Sequence, residues 1–212
     1  MWTFSGFSNG IYYLKTDSNG NAVASSADNT MRKIGKDKGS ELWKYNSSDT
    51  ITPIVVDNND YVFGSDYSNN NFKIDPNGNE VWRTSGSYYL SRATYDQNNY
   101  IYTEHVGGIS KLDKSNGDKL WTDNSREGDI WALNFLQGYL YYGDETGKIG
   151  KLSQNGNLIW TNTLSDTNPR SITCDSEGNL YFSRTDNSYI FKINPEDGSV
   201  IWSTQNLGYE VL

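Results

Sequence analysis

The stretch Lys111-Leu-Asp-Lys-Ser-Asn-Gly-Asp-Lys-Leu-Trp121 decides how this chain is read, because the sequence writes it five times. The other copies run Lys33 to Trp43, Lys73 to Trp82, Lys151 to Trp160 and Lys192 to Trp202. In every copy a Gly stands four residues before the Trp: Gly39, Gly78, Gly117, Gly156 and Gly198. Successive Trp residues are 39, 39, 39 and 42 apart, and Trp2 lies 41 before the first of them. A period near forty marks an array of small units, none able to bury its apolar face alone.

Outward from each copy the same punctuation recurs. The second repeat reads as a strand at Thr52 to Val56 and a turn at Asp57-Asn-Asn-Asp60, then strands from Tyr61, Asn71 and Glu80. Four short strands separated by turn formers make one antiparallel sheet per repeat. The fold predicted is all-β: a β-propeller of four-stranded antiparallel blades, with five complete repeats and partial strands at both termini. The repeats fall at about 7–46, 47–85, 86–124, 125–163 and 164–206 of a single domain spanning 1–212. Residues 1–6, with Trp2, read as the last strand of a repeat, and residues 208–212 as the start of another first strand. A buried Trp removes about 150–250 Å² from water, so one per repeat at constant spacing is expected to anchor sheet to sheet. The Gly suits a tight turn or a flat surface for that ring.

Tyr61-Val-Phe-Gly-Ser-Asp66 followed by Lys73-Ile-Asp-Pro-Asn-Gly-Asn-Glu-Val-Trp82 resembles the pyrroloquinoline-quinone (PQQ)-like, tryptophan-docking propeller repeat, and the resemblance recurs along the chain. It implies a propeller and leaves function open, since such repeats occur in quinone-dependent alcohol dehydrogenases, in an outer-membrane-assembly scaffold and in binding proteins. The dehydrogenases of the family use a catalytic Asp, a calcium ion and often a vicinal Cys pair. The single Cys174 departs from that pattern, so neither a quinone cofactor nor a metal is expected. Characterised rings of this type usually hold about eight blades. Five copies imply part of a longer propeller, a five-bladed ring with spare end strands, or a blade completed by another chain. An unpaired sheet edge makes the last physically reasonable.

Composition narrows the classes further. The chain of 212 residues carries a formal charge of −8, which disfavours binding to a nucleic-acid duplex. One cysteine leaves the redox compartment open. No apolar run reaches the length of a membrane span or a signal peptide, making cytoplasmic residence the default expectation.

His105 is the only histidine, which leaves no zinc set and no Ser-His-Asp constellation, and it reads as a surface residue after a second strand. Asp17, Asp57, Asp96 and Asp175 recur at first hairpins, where they read as turn caps rather than calcium ligands. The segments leading into first strands and those following second strands vary most between repeats, and on a propeller they share one mouth. There Arg92, Arg126 and Arg170, with Trp131, Tyr88 and Tyr89, form the candidate ligand site. Forked guanidinium bonds and ring stacking suit an anionic metabolite, a nucleotide or a glycan. The function expected is non-enzymatic, a binding module for a protein partner or, as an alternative, for a small anionic or glycan ligand, with an enzyme of unknown type as the remaining alternative class. Self-association through an incomplete blade is a further expectation.

Overall fold

A computed structural model of the chain describes residues 1–85, 92–105, 108–126, 128–164, 169–184 and 189–204. They form twenty strands in five antiparallel sheets, each built from four consecutive strands. Sheet 1 contains β1 (Ile11–Thr16), β2 (Ala22–Ser26), β3 (Thr30–Ile34) and β4 (Glu41–Asn46). Sheet 2 contains β5 (Ile51–Val56), β6 (Val62–Asp66), β7 (Asn70–Ile74) and β8 (Glu80–Ser85). Sheet 3 contains β9 (Ala93–Tyr95), β10 (Ile101–His105), β11 (Gly108–Leu112) and β12 (Lys119–Asp123). Sheet 4 contains β13 (Ile130–Leu136), β14 (Tyr139–Asp144), β15 (Lys148–Leu152) and β16 (Leu158–Thr163). Sheet 5 contains β17 (Pro169–Cys174), β18 (Leu180–Arg184), β19 (Ile190–Ile193) and β20 (Val200–Ser203). The chain divides into two compact units, Met1–Ile101 with Leu112–Lys119, and Tyr102–Lys111 with Leu120–Leu212.

Local chemistry explains the hairpins. The Asp17 carboxylate accepts the backbone N–H groups of Asn19 and Asn21 at 3.0 and 2.8 Å, closing the turn from β1 to β2. Asp57, Asp96 and Asp175 do the same in their own repeats. Asx turns of this kind are what the Asp-rich spacing predicts. The fourth repeat lacks the Asp and uses Gln137-Gly138, with φ of 49° and 86°. Two consecutive positive φ angles give the type I′ hairpin that matches strand twist.

The fourth strands carry a repeated irregularity. Register shifts between Lys33 and Ile34, Lys73 and Ile74, Lys151 and Leu152, and Lys192 and Ile193. These bulges lie where Lys33 pairs with Trp43, Lys73 with Trp82, Lys151 with Trp160 and Lys192 with Trp202. Directly paired residues point to the same face of a sheet, so each Lys and its Trp emerge side by side.

Both then meet the following repeat. In the first unit Trp43 donates its indole N–H to the Pro76 carbonyl at 3.1 Å, and Trp82 donates to Lys114 at 3.1 Å. In the second, Trp121 donates to Gln154 at 3.0 Å and Trp160 to Pro195 at 3.0 Å. The paired lysine ammoniums converge on the same oxygens: Lys73 reaches Lys114 at 3.1 Å and Lys151 reaches Pro195 at 2.9 Å. Each Trp ring lies flat on the glycine of that turn. A Cβ at Gly78 would stand 2.7 Å from Trp43, and one at Gly198 would stand 2.5 Å from Trp160. These glycines also hold φ near +91° and +76°, so turn geometry and close approach demand the same residue. The Gly therefore serves the Trp of the preceding repeat, not the Trp four residues after it.

Residues 1–6 depart from expectation, because they form no strand. Trp2 nevertheless makes the repeated contact, donating to the Lys36 carbonyl at 2.7 Å and covering Gly39. The docking contact survives without the strand that carries it elsewhere. The region 208–212 lies outside the described residues.

Trp82 is 8% exposed against Phe63 and Leu112, whereas Trp202 is 44% exposed. Trp82→Ala is expected to lower unfolding free energy by about 3–5 kcal/mol, and Trp202→Ala by less than about 1 kcal/mol. Chemical denaturation of both variants measures the difference, and equal losses would contradict the burial pattern.

Candidate functional site

Arginines of the strands and of the variable segments rest on aromatic rings, and Arg32, Arg83 and Arg126 are also tied to carboxylates. Arg32 lies 5.1 Å from the Phe7 ring centroid and pairs with Glu41 at 2.6 Å and Asp28 at 3.8 Å. Arg83 lies 5.3 Å from Phe72, pairs with Glu80 at 3.1 Å, and donates to the Tyr45 hydroxyl. Burial and the hydrogen bond to Glu80 push the Tyr45 phenol far above its usual range. Such pairs neutralise charge locally and leave little of the guanidinium fork for a ligand.

Of the candidate residues, Arg126, Trp131 and Arg170 belong to the second unit and Arg92 to the first. Tyr88 and Tyr89 lie outside the described residues. Arg126 is held between the Asp123 carboxylate and the Tyr142 ring, with its guanidinium carbon 4.3 Å from the centroid and a 2.5 Å bond to the Tyr142 hydroxyl. Burial raises the Asp123 carboxyl, but bonds from Ser125 and Arg126 outweigh it and hold the group ionised below its ordinary value. Arg170 stacks on Trp131 at 3.6 Å, the shortest cation–ring distance among the described residues. Alignment of the first strands puts Trp131 and Arg170 at the same position, the bulge of β13 and of β17, with Arg92 one position away, and the structure stacks the Arg170 guanidinium on the Trp131 ring.

His105 is a correction. It is 2% exposed at the end of β10, not on a surface loop, and its imidazole closes against Gly108, where a Cβ would meet it at 2.5 Å. Asp66 and Asp144, at the ends of β6 and β14, are likewise buried. Their carboxylates accept the N–H groups of Asn70 and of Thr146 and Lys148, so they cap the next hairpin rather than line a mouth. Among the described residues no cluster of His, Cys, Asp and Glu has metal-binding geometry. Nor is any described helix long and apolar enough to cross a membrane.

Sequence reading missed the lysine that opens every copy of the motif. Lys33 pairs with Asp17 at 2.7 Å and Lys151 lies 4.0 Å from the Tyr139 ring centroid, so each cation links its own hairpin to the next repeat. Its recurrence before every Trp was the available signal.

One open concavity is lined by Ser171, Thr173, Tyr181, Phe182, Ser183 and Ile190, with a volume of about 280 Å³. All six come from sheet 5; Thr173 and Tyr181 share the register row of Trp202, whereas Phe182 pairs with Ile172 on the buried face. Tyr181 and Trp202 lie in a tilted pair 6.1 Å apart, and Lys192 sits 5.8 Å from the Tyr181 ring. None of these residues belonged to the expected site.

Residues 27–171 match the family model described as outer membrane protein assembly factor BamB. The chain belongs to this family of PQQ-like repeat proteins. No curated protein matches it. Among solved structures, the computationally designed Ika8 protein is similar over 97% of this chain and 65% of that one, with a TM-score of 0.86 and 16% identity. The PQQ-like chain thus spans about 65% of that protein's length, and the likeness concerns the fold alone. In all, 1463 solved chains match, so membership of the fold selects no activity.

Asp28, the partner of Arg32, offers a pH test of this frame. Burial would raise its carboxyl, but bonds from the Thr30 hydroxyl, from the Ser8 and Thr30 amides and from Ser26 hold it at about 2. A depressed folded value stabilises the protein above the unfolded value of about 3.9 and loses that effect as pH falls toward about 2. Asp28→Asn is therefore expected to lower the melting temperature at pH 7, with the gap to the parent closing between about pH 4 and 2. A gap that is constant with pH would exclude this carboxylate as the source.

Proposed function

We propose that this chain is a non-enzymatic interaction scaffold whose β-propeller blades frame a surface for a protein partner. The observation that carries the reading is the open face of sheet 5, where Trp202 is 44% exposed beside Tyr181 and an apolar groove of about 280 Å³. Exposed aromatic surface with a polar rim is the usual composition of a protein contact. The groove lining supplies hydroxyls and rings, with no carboxylate pair for general acid–base work. Membership of a family that takes its description from an assembly factor agrees with a scaffold.

Incorporation of a photo-crosslinking amino acid at the exposed Thr173, followed by irradiation in cells that make the protein, tests the reading. A protein adduct is expected, and it should disappear in the Trp202→Ala background. Absence of any adduct, or one indifferent to Trp202, would overturn it.

A small-anion reading is favoured by one contact, the Arg170 guanidinium stacked at 3.6 Å on Trp131. Stacking holds the fork flat and directs its N–H groups sideways, a geometry that suits an oxyanion. Calorimetric titration with tripolyphosphate is expected to show binding that Arg170→Ala weakens at least about tenfold, a loss of about 1.4 kcal/mol. Equal affinities would remove this reading.

A further inference from the structure

Sheet 4 shows what the face of sheet 5 is built to receive. Hydrogen bonds among the described residues, together with an apolar cluster, join sheet 4 to its successor. Asn134 donates to the Ile172 carbonyl at 3.1 Å, Lys151 and Trp160 both donate to Pro195, and Asn162 donates to the Gly198 carbonyl at 2.8 Å. With sheet 5 in place, Tyr141 is 2% exposed, Lys151 5% and Trp160 8%.

Strand register identifies the counterparts on sheet 5. Asn134 pairs with Tyr141 and Lys151 with Trp160; Thr173 pairs with Tyr181 and Lys192 with Trp202. Thr173, Tyr181, Lys192 and Trp202 therefore repeat the donor face, including the tilted Tyr–Trp pair at 6.1 Å in both sheets. On sheet 5, however, Thr173 is exposed, Tyr181 and Lys192 are half-buried, and Trp202 is 44% exposed. A complete docking face stands uncovered there among the described residues.

Sheet 1 presents the opposite half. Its turn holds Gly39 at φ 64° and offers the Lys36 carbonyl, the same acceptor that every later turn provides. Register makes Leu14 the counterpart of Ile172: Leu14 pairs with Ala24, one residue beyond Val23, as Ile172 pairs with Phe182, one beyond Tyr181. Ile172 is buried at 5% in the cluster that joins sheets 4 and 5. Leu14 is 63% exposed, and Ile11 and Tyr12 beside it are 55% and 54% exposed. Among the described residues the acceptor turn is occupied by Trp2, which arrives on a segment without strand structure and remains 41% exposed.

We propose that sheet 5 of one copy docks on sheet 1 of a second copy, reproducing between chains the contact made between sheets 4 and 5. The proposal rests on the scaffold reading above and names its partner. Leu14 of the second copy enters the groove over Tyr181 and Ile190, and Trp202 competes with Trp2 for the Gly39 surface and the Lys36 carbonyl. Because donor and acceptor are different surfaces, the contact is heterologous, and each copy keeps one free half for a further copy. Trp2 then acts as a resident plug that weakens association until displaced.

Sedimentation of the full chain tests this. The parent is expected to show concentration-dependent association, strengthened in Trp2→Ala and abolished in Trp202→Ala and in Leu14→Glu. Mixing Trp202→Ala with Leu14→Glu should restore a dimer that grows no further, because one variant retains the acceptor and the other the donor. Circular dichroism melts on each variant confirm that it is folded. A Trp2→Ala chain that stays monomeric at about 100 μM, well above the micromolar range of a weak interface, would overturn the proposal. So would failure of the mixed variants to pair. The two readings fail differently: a Thr173 adduct containing another protein overturns self-docking alone, whereas no adduct overturns the scaffold.

Discussion

The contact between a tryptophan and the turn of the following repeat supports everything else in this protein. The indole does three things at once. Its ring covers a glycine that no side chain could replace, its N–H satisfies a turn carbonyl, and its neighbouring lysine binds the same oxygen. The carbonyl would otherwise remain a desolvated acceptor beneath an aromatic ring, at a cost comparable to a lost hydrogen bond. Positioning both donors requires the bulge between third and fourth strands, which explains why the irregularity recurs with the motif. A four-stranded sheet of this size has two apolar faces and cannot be stable alone; the tryptophan contact turns one sheet's liability into the next sheet's cover.

Much of the chain's polar chemistry serves the same end. Aspartates at the first hairpins and after the second strands spend their lone pairs on backbone N–H groups of their own turns. Arg32, Arg83 and Arg126 lie on rings and are paired with carboxylates. An acidic protein with this many buried ion pairs keeps its charges neutralised where they are desolvated, because a lone buried charge would cost several kcal/mol. Residues that look reactive in isolation, His105 and Asp144 among them, are absorbed by the frame.

The surfaces proposed for docking lie where, among the described residues, the repeating contact is left unfinished. Sheet 5 offers the donor half with no described sheet upon it, and sheet 1 offers an acceptor half held by a single tryptophan on an irregular segment. Exposed Leu14 and Trp202 at these two places contrast with buried Trp82 and Trp160 of other sheets, and an exposed apolar patch of this kind is a candidate interaction surface.

The sequence by itself determined the strands, the hairpins and the repeat. Period, turn chemistry and alternation are local properties, readable from the spacing of Gly, Asp and Trp without knowing what touches what. The Trp anchors and the aspartate turns were legible for that reason, and so was the membership of the PQQ-like family. Tertiary structure alone decided which glycine receives which tryptophan, because that pairing joins residues about thirty-five apart across two sheets. It also decided that Arg126 is committed to Asp123 and Tyr142, that His105 is buried, and that Trp202 is exposed although its motif matches the buried ones. Burial is set by the neighbouring sheet, and one repeat's sequence carries no record of whether a neighbour is present.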